Sequence, residues 1–135
     1  MAHEHILYMM LAEAAAQARD ESALRTYAPR LEALATRDNH KPYLAIAHRA
    51  WGVAHRLAGE SANAQSRLER AFELFSELDL RWQMGRTLCE MAELDLAQSD
   101  SDSARDHLRR ALTQFEAMQA VPDAMRTRQA LAALT

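Results

Sequence analysis

The chain has 135 residues, 49% hydrophobic and 26% charged, with three Gly, three Pro and a formal net charge of −3. That length fits one compact domain or a short helical array, and the mild acidity without a basic stripe argues against direct nucleic-acid binding. A single cysteine, Cys89, excludes an internal disulfide and points to a reducing, cytoplasmic setting, and no run approaches the roughly 18 apolar residues of a membrane span.

Ala (28 residues) and Arg (15, against one Lys) are strong helix formers, and so few breakers interrupt them that the sequence predicts an all-α fold. The N-terminal stretch MAHEHILYMMLAEAAA carries acids and no basic n-region, so it reads as a helix and not as a signal peptide. This first helix, over about 3–18, sets Ile6, Leu7, Met10, Leu11, Ala14, Ala15 and Ala18 on one broad face. Asp20, Glu21 and Ser22 turn the chain into a second helix over about 23–36, in which Pro29 imposes a late start or a kink. Asp38 and Asn39 offer caps, and Pro42 suits the first turn of a third helix over about 42–58. Gly59 then stops that helix in a left-handed conformation.

Further helices are expected over 61–78 and 81–98. After the polar run SDSDS comes one reaching about 119, and a last one over 122–134 opens on Pro122. The connections are short, so consecutive helices should be antiparallel neighbours within a single domain over 1–135, with hairpins at 3–36, 42–78 and 81–119. A chain that starts and ends on helices reads as a segment of a longer protein.

Two stretches nearly copy each other: WGVAHRLAGESANAQSRLERAFELF from Trp51 to Phe75, and MAELDLAQSDSDSARDHLRRALTQF from Met91 to Phe115. Shifted by forty residues, Gly52 falls on Ala92, Ala64 on Ala104, Leu68 on Leu108, Ala71 on Ala111 and Phe75 on Phe115. A fixed period of this kind marks stacked helical hairpins. Within each copy the small residues stand twelve and then seven apart, where crossing helices must approach to about 8–10 Å.

This spacing resembles the tetratricopeptide repeat, whose small residues stand at repeat positions 8, 20 and 27. Gly52 and Ala92 take the first of these, Ala64 and Ala104 the second, Ala71 and Ala111 the third. The usual Pro near position 32 is replaced by Ser76 and Glu116, and the aromatic at position 11 by His55 and Asp95. The period of forty, against the usual 34, implies a lengthened second helix in each hairpin. Such extended repeats are similar to those of kinesin light chains and polarity adaptors. Most of all they resemble the C-terminal helical domains of large bacterial ATP-dependent transcription activators and nucleotide cyclases, where segments like FELFSELDLRWQMGRTL recur. A weaker first copy has Ala12 at position 8 but Leu24 and Leu31 at the two later small positions, so it should pack more loosely or at another angle. Ala124, Leu131 and Leu134 continue the pattern as a capping helix.

The resemblance implies a right-handed α-α superhelix of three hairpins plus that cap, with the first helix of each hairpin lining a concave groove. Carried onto this chain, the groove residues are Ile6, Met9, Met10 and Glu13, then Arg49, Val53 and Arg56. Arg86, Cys89, Glu90 and Glu93 follow, with Arg126 from the cap. An apolar end and an Arg/Glu middle suit an extended or helical peptide. The carboxylate clamp of the chaperone-binding subclass is not matched, since Met9, Glu13, Ala50 and Glu90 stand at its places.

Other chemistry finds little support. His48 and His55 share a face but lie about 10 Å apart along the axis, too far for one ion. His3 and His5 read as a flexible terminus, and no HExxH, paired Cys/His or carboxylate cluster points to a metal or cofactor. Glu90 and Glu93 are explained by a charged helix face. The sequence therefore predicts a non-catalytic interaction module for a protein or peptide partner, a fragment of a bacterial regulator. An effector-sensing domain is one alternative. The other is a self-associating module that buries Ile6, Met9 and Met10 against a second copy as a homodimer.

Overall fold

The computed structural model describes the backbone of residues 2–134 and the side chains of residues 4–134. Among the described residues the chain forms seven α-helices and no strand. They are α1 (Ala2–Gln17), α2 (Glu21–Arg37), α3 (Lys41–Leu57), α4 (Ser61–Glu77), α5 (Arg81–Ala97), α6 (Ser101–Ala117) and α7 (Val121–Ala133). The chain divides into two compact units, residues 1–74 and 75–135. In the first, α1 packs on α2 and both pack on α3; in the second, α5 packs on α6 and α6 on α7.

The lengthening expected in the second helix of each hairpin is instead shared, because α3, α4, α5 and α6 are each 17 residues long. α2 is also 17 residues and runs through Pro29 without starting late. The ring sits on the exposed side of the helix.

All six connections close the same way. A residue with positive φ follows each helix at Arg19, Asn39, Gly59, Asp79, Ser99 and Gln119. The next backbone N–H reaches back five residues: Asp20 to Ala15, His40 to Ala35, Glu60 to His55, Leu80 to Phe75, Asp100 to Asp95 and Ala120 to Phe115. The left-handed residue itself donates three residues back, which completes a Schellman closure. The residue after it is already the N-cap of the following helix, its carbonyl accepting from four residues on. Asp20, His40 and Asp100 add a side-chain cap to Ala23, Tyr43 and Ser103 N–H. Gly59 adopts the left-handed conformation expected of it, while five non-glycine residues do so at about 1–2 kcal/mol each, offset by the paired backbone bonds.

Packing explains the small residues. A Cβ on Gly52 would stand 2.6 Å from Leu68 Cγ, and one on Gly85 would stand 2.6 Å from Phe115 Cε1. Ala64, Ala71, Ala92, Ala104 and Ala111 are buried. The first hairpin departs from this scheme in residue type but not in burial. α2 carries Leu24, Ala28, Leu31 and Ala35 where α6 carries Ala104, Leu108, Ala111 and Phe115, and all eight are buried. On the facing helix, buried His5 occupies the register of Gly85. Large and small have changed places. The four α2 positions of this hairpin are thus as fully buried as their α6 counterparts.

Candidate functional site

α1 is apolar around most of its circumference. Its outward side carries Ile6, Leu7 and Met10 at 45%, 52% and 61% exposure, with exposed Ala14 and Gln17 beside them and no charged residue among them. Met9 and Glu13 are half-buried on the adjoining side. There Arg49 of α3, only 2% exposed, donates from Nη2 to both Glu13 carboxylate oxygens at 3.2 and 3.1 Å. The ion pair ties α1 to α3 and is largely out of water, so loss of either partner would strand a charge. Val53 is fully buried and Arg56 half-buried, so little of the α3 share of the expected groove is open to a ligand.

On the opposite side of α3, Trp51 gathers a polar network. Its Nε1 donates to Glu32 Oε1 at 3.0 Å, and Arg67 Nη1 donates to Glu32 Oε2 at 2.7 Å. Arg67 lies over the indole at 5.3 Å and also donates to His48 Nδ1 at 2.9 Å. Burial, then the Arg67 charge, hold the His48 imidazole below its ordinary value. His55 stacks on Trp51 and donates to Glu60 at 2.7 Å. That bond, with one from Arg25, lowers the Glu60 carboxyl. This network pins α2, α3 and the start of α4.

A third cluster forms where α1 meets the α2–α3 turn. His5, expected in a flexible terminus, is instead buried and stacks with His40 and Tyr43. Its Nε2 lies 3.0 Å from Asp38 Oδ2. The twin bonds from Arg37 to Asp38, with a smaller contribution from His5, lower that carboxyl to about 2. The His3 side chain lies outside the described residues. Among the described residues no group of three or more His, Cys, Asp or Glu could hold a metal ion.

In the second unit, Arg86 lies 5.4 Å over Trp82, whose Nε1 donates to Asp123 Oδ2 at 3.0 Å. Arg126 Nη2 donates to the other Asp123 oxygen at 2.7 Å and is otherwise exposed. Cys89 packs with Leu131 and Leu134 against the Ala92–Ala104–Leu108 core, 4.0 Å from Thr127 Oγ1. Burial pushes its thiol up to about 11, which leaves it protonated and unreactive at neutral pH. Glu90 is buried and Glu93 exposed on the same helix. His107 and Asp95 pair between α6 and α5.

The predicted groove residues thus separate into three kinds of environment. Ile6 and Met10 stand open, Arg49, Val53 and Glu90 are interior, and Glu93 and Arg126 are solvated. The networks around Trp51 and Trp82 were not anticipated, although the spacing of Trp51 from Glu32 and Arg67 across two turns offered a signal. Among the described residues no helix is long and apolar enough to cross a membrane. Residues 43–117 match a family model described as tetratricopeptide repeat. No curated protein and no solved structure matches the chain.

Proposed function

Since the chain belongs to the tetratricopeptide-repeat family, whose repeats generally mediate protein–protein interaction, we propose that it is a non-catalytic docking module. It engages a protein partner through the outward face of α1. One observation carries this reading: Ile6, Leu7 and Met10 form an uncharged, solvent-facing stripe, while the charged groove residue Arg49 is engaged with Glu13 inside the protein. An exposed contiguous apolar patch on a folded domain marks an interaction site, and an amphipathic helix laid against such a stripe is a familiar mode of recognition. In this reading the chain works in the cytoplasm as part of a larger bacterial regulatory protein, and the docking step conveys its signal.

The test is photo-crosslinking with benzoylphenylalanine at Met10 in the intact host protein, with Glu93 as the control position. A discrete adduct from Met10, lost on Ile6→Glu and absent from Glu93, is expected. No adduct at Met10, or equal adducts at both positions, would overturn the α1 face as the docking site.

A further inference from the structure

Trp51 of α3 sits where α2, α3 and α4 meet inside the first unit, and its surroundings are more specific than packing requires. Glu32 comes to it from α2, and Arg67 of α4 reaches the same carboxylate, so one side chain joins α2 to both other helices. Forty residues on, the registers of His48, Trp51 and Arg67 hold Leu88, Met91 and His107. The α5–α6 hairpin closes with Leu88 buried and no such network. The helical repeat itself therefore does not need it.

The chemistry turns on the two protons of Arg67 Nη1. One goes to Glu32 Oε2 at 2.7 Å and the other to His48 Nδ1 at 2.9 Å. A guanidinium only donates, so His48 Nδ1 is an unprotonated acceptor and the neutral ring carries its proton on Nε2. A proton added at Nδ1 would set a second donor, and a second positive charge, against Arg67. The bond and the protonated ring exclude each other. Arg67 and Arg70 of α4 oppose that proton, while Glu32 of α2 favours it. His55, on the other flank of Trp51, differs in kind. Its Nδ1 donates to Glu60 Oε1, and an Nδ1–H can donate whether or not the ring is charged.

We propose that His48 is an acid-sensitive latch between α2 and α4: on taking a proton at Nδ1 it expels Arg67 and takes over Glu32, and Arg67 leaves the Trp51 indole. This goes beyond the docking reading and does not depend on it. The proton comes from solvent to the Nδ1 lone pair, and Arg67 keeps all of its own. Glu32 still holds Trp51 Nε1 through Oε1, so α2 stays joined to α3 while α4 loses this tie to α2. The bond from Arg25 to Glu60 and the close contact of Leu68 with Gly52 do not involve His48. The helices therefore stay together, and what changes is how rigidly α4 is coupled to α2. Burial, then the Arg67 charge, disfavour the charged ring, so the latch is closed at neutral pH. It opens as pH falls below the ordinary imidazole value, which makes it a switch of the kind histidine suits.

The experiment follows the Trp51 indole N–H by NMR as the full chain is titrated from neutral to mildly acidic pH, the signal being assigned by its loss in Trp51→Phe. The indole and His48 ring signals are expected to move together, with one midpoint below the ordinary imidazole value, while the helical circular-dichroism spectrum holds. His48→Gln offers Arg67 an acceptor that gains no proton and should freeze the indole signal. His55→Gln should leave its movement intact, and Arg67→Gln should shift the His48 midpoint upward. A double-mutant cycle of Glu32→Gln with Arg67→Gln, read by urea denaturation, should show a coupling at neutral pH that is lost in acid. In His48→Gln that coupling should persist at both. An indole signal that stays still while His48 titrates, or that moves equally in His48→Gln, would overturn the latch. So would a Glu32–Arg67 coupling unchanged by pH, or protonation of His48 only as helix content is lost.

Discussion

The α1–α2 hairpin of the first unit and the α5–α6 hairpin of the second solve the same packing problem with opposite residues. In α5–α6, Phe115 fills the space above Gly85, with Leu108 between two alanines. In α1–α2, Ala35 takes the Phe115 register, His5 takes the Gly85 register, and Leu24 and Leu31 flank Ala28. What repeats is the position of burial. The identity at any one position is free to change if its partner changes too, as close-packed interiors allow when total volume is kept.

The comparison can be broken most sharply at Phe115. Phe115→Ala should cost about 3–5 kcal/mol, measured by urea denaturation, whereas Ala35→Gly at the matching position should cost only about 1 kcal/mol. Next in size, Ala35→Phe alone should destabilise by about 1–3 kcal/mol through overpacking. Adding His5→Gly should restore at least half of that loss, giving a double-mutant coupling as expected for neighbours. Additive effects would mean that the two positions do not share the space. The glycines offer a finer contrast. Gly85→Ala should destabilise by about 1–3 kcal/mol, because the ring of Phe115 cannot bend aside. Gly52→Ala also brings its Cβ to 2.6 Å from Leu68 Cγ and Cδ2 but should cost less than Gly85→Ala, because the second unit packs Ala92 with Leu108 and alanine favours the helix.

The two units should also differ in their response to acid. His48 stands where α5 has Leu88, and its imidazole is held below the ordinary value by burial and by Arg67. A folded-state value below the unfolded one means that the unfolded chain binds the proton more readily. The stabilising contribution is thus complete above about pH 6.5 and is lost as pH falls through the lowered folded-state value. His48→Gln should flatten that part of the stability–pH curve, read from melting temperatures between neutral and mildly acidic buffers. The smallest effect expected is a gain. Gln119→Gly should relieve the left-handed strain and raise stability by about 0.5–1 kcal/mol.

Much of the fold could be read from the sequence because helix propensity, the forty-residue period and the small residues at 52, 64, 71, 92, 104 and 111 all act at single positions. The inversion in the first hairpin was not legible for the converse reason. Leu24 and Leu31 look wrong one at a time, and only their pairing with Ala28, Ala35 and His5 makes sense of them. The helix ends were hidden because Arg19, Asn39, Asp79, Ser99 and Gln119 share no residue type, and the backbone closure rather than the side chain decides the turn. Of the candidate surface, Ile6 and Met10 were named by the repeat resemblance, and helical spacing set them on one face with Leu7. The burial of Arg49 depends on Glu13, 36 residues away, and spacing along one helix does not report it.

The six identical closures bear on how such a chain changes length over generations. Each helix end is sealed by main-chain bonds that accept Arg, Asn, Gly, Asp, Ser or Gln alike, so a recombination joint placed at any one of them meets a compatible joint at every other. An in-frame gain or loss of forty codons needs no redesigned loop to tolerate it. Selection would then act only on whether the new neighbours exchange large for small correctly across the seam, and on which helix is left facing outward at the end.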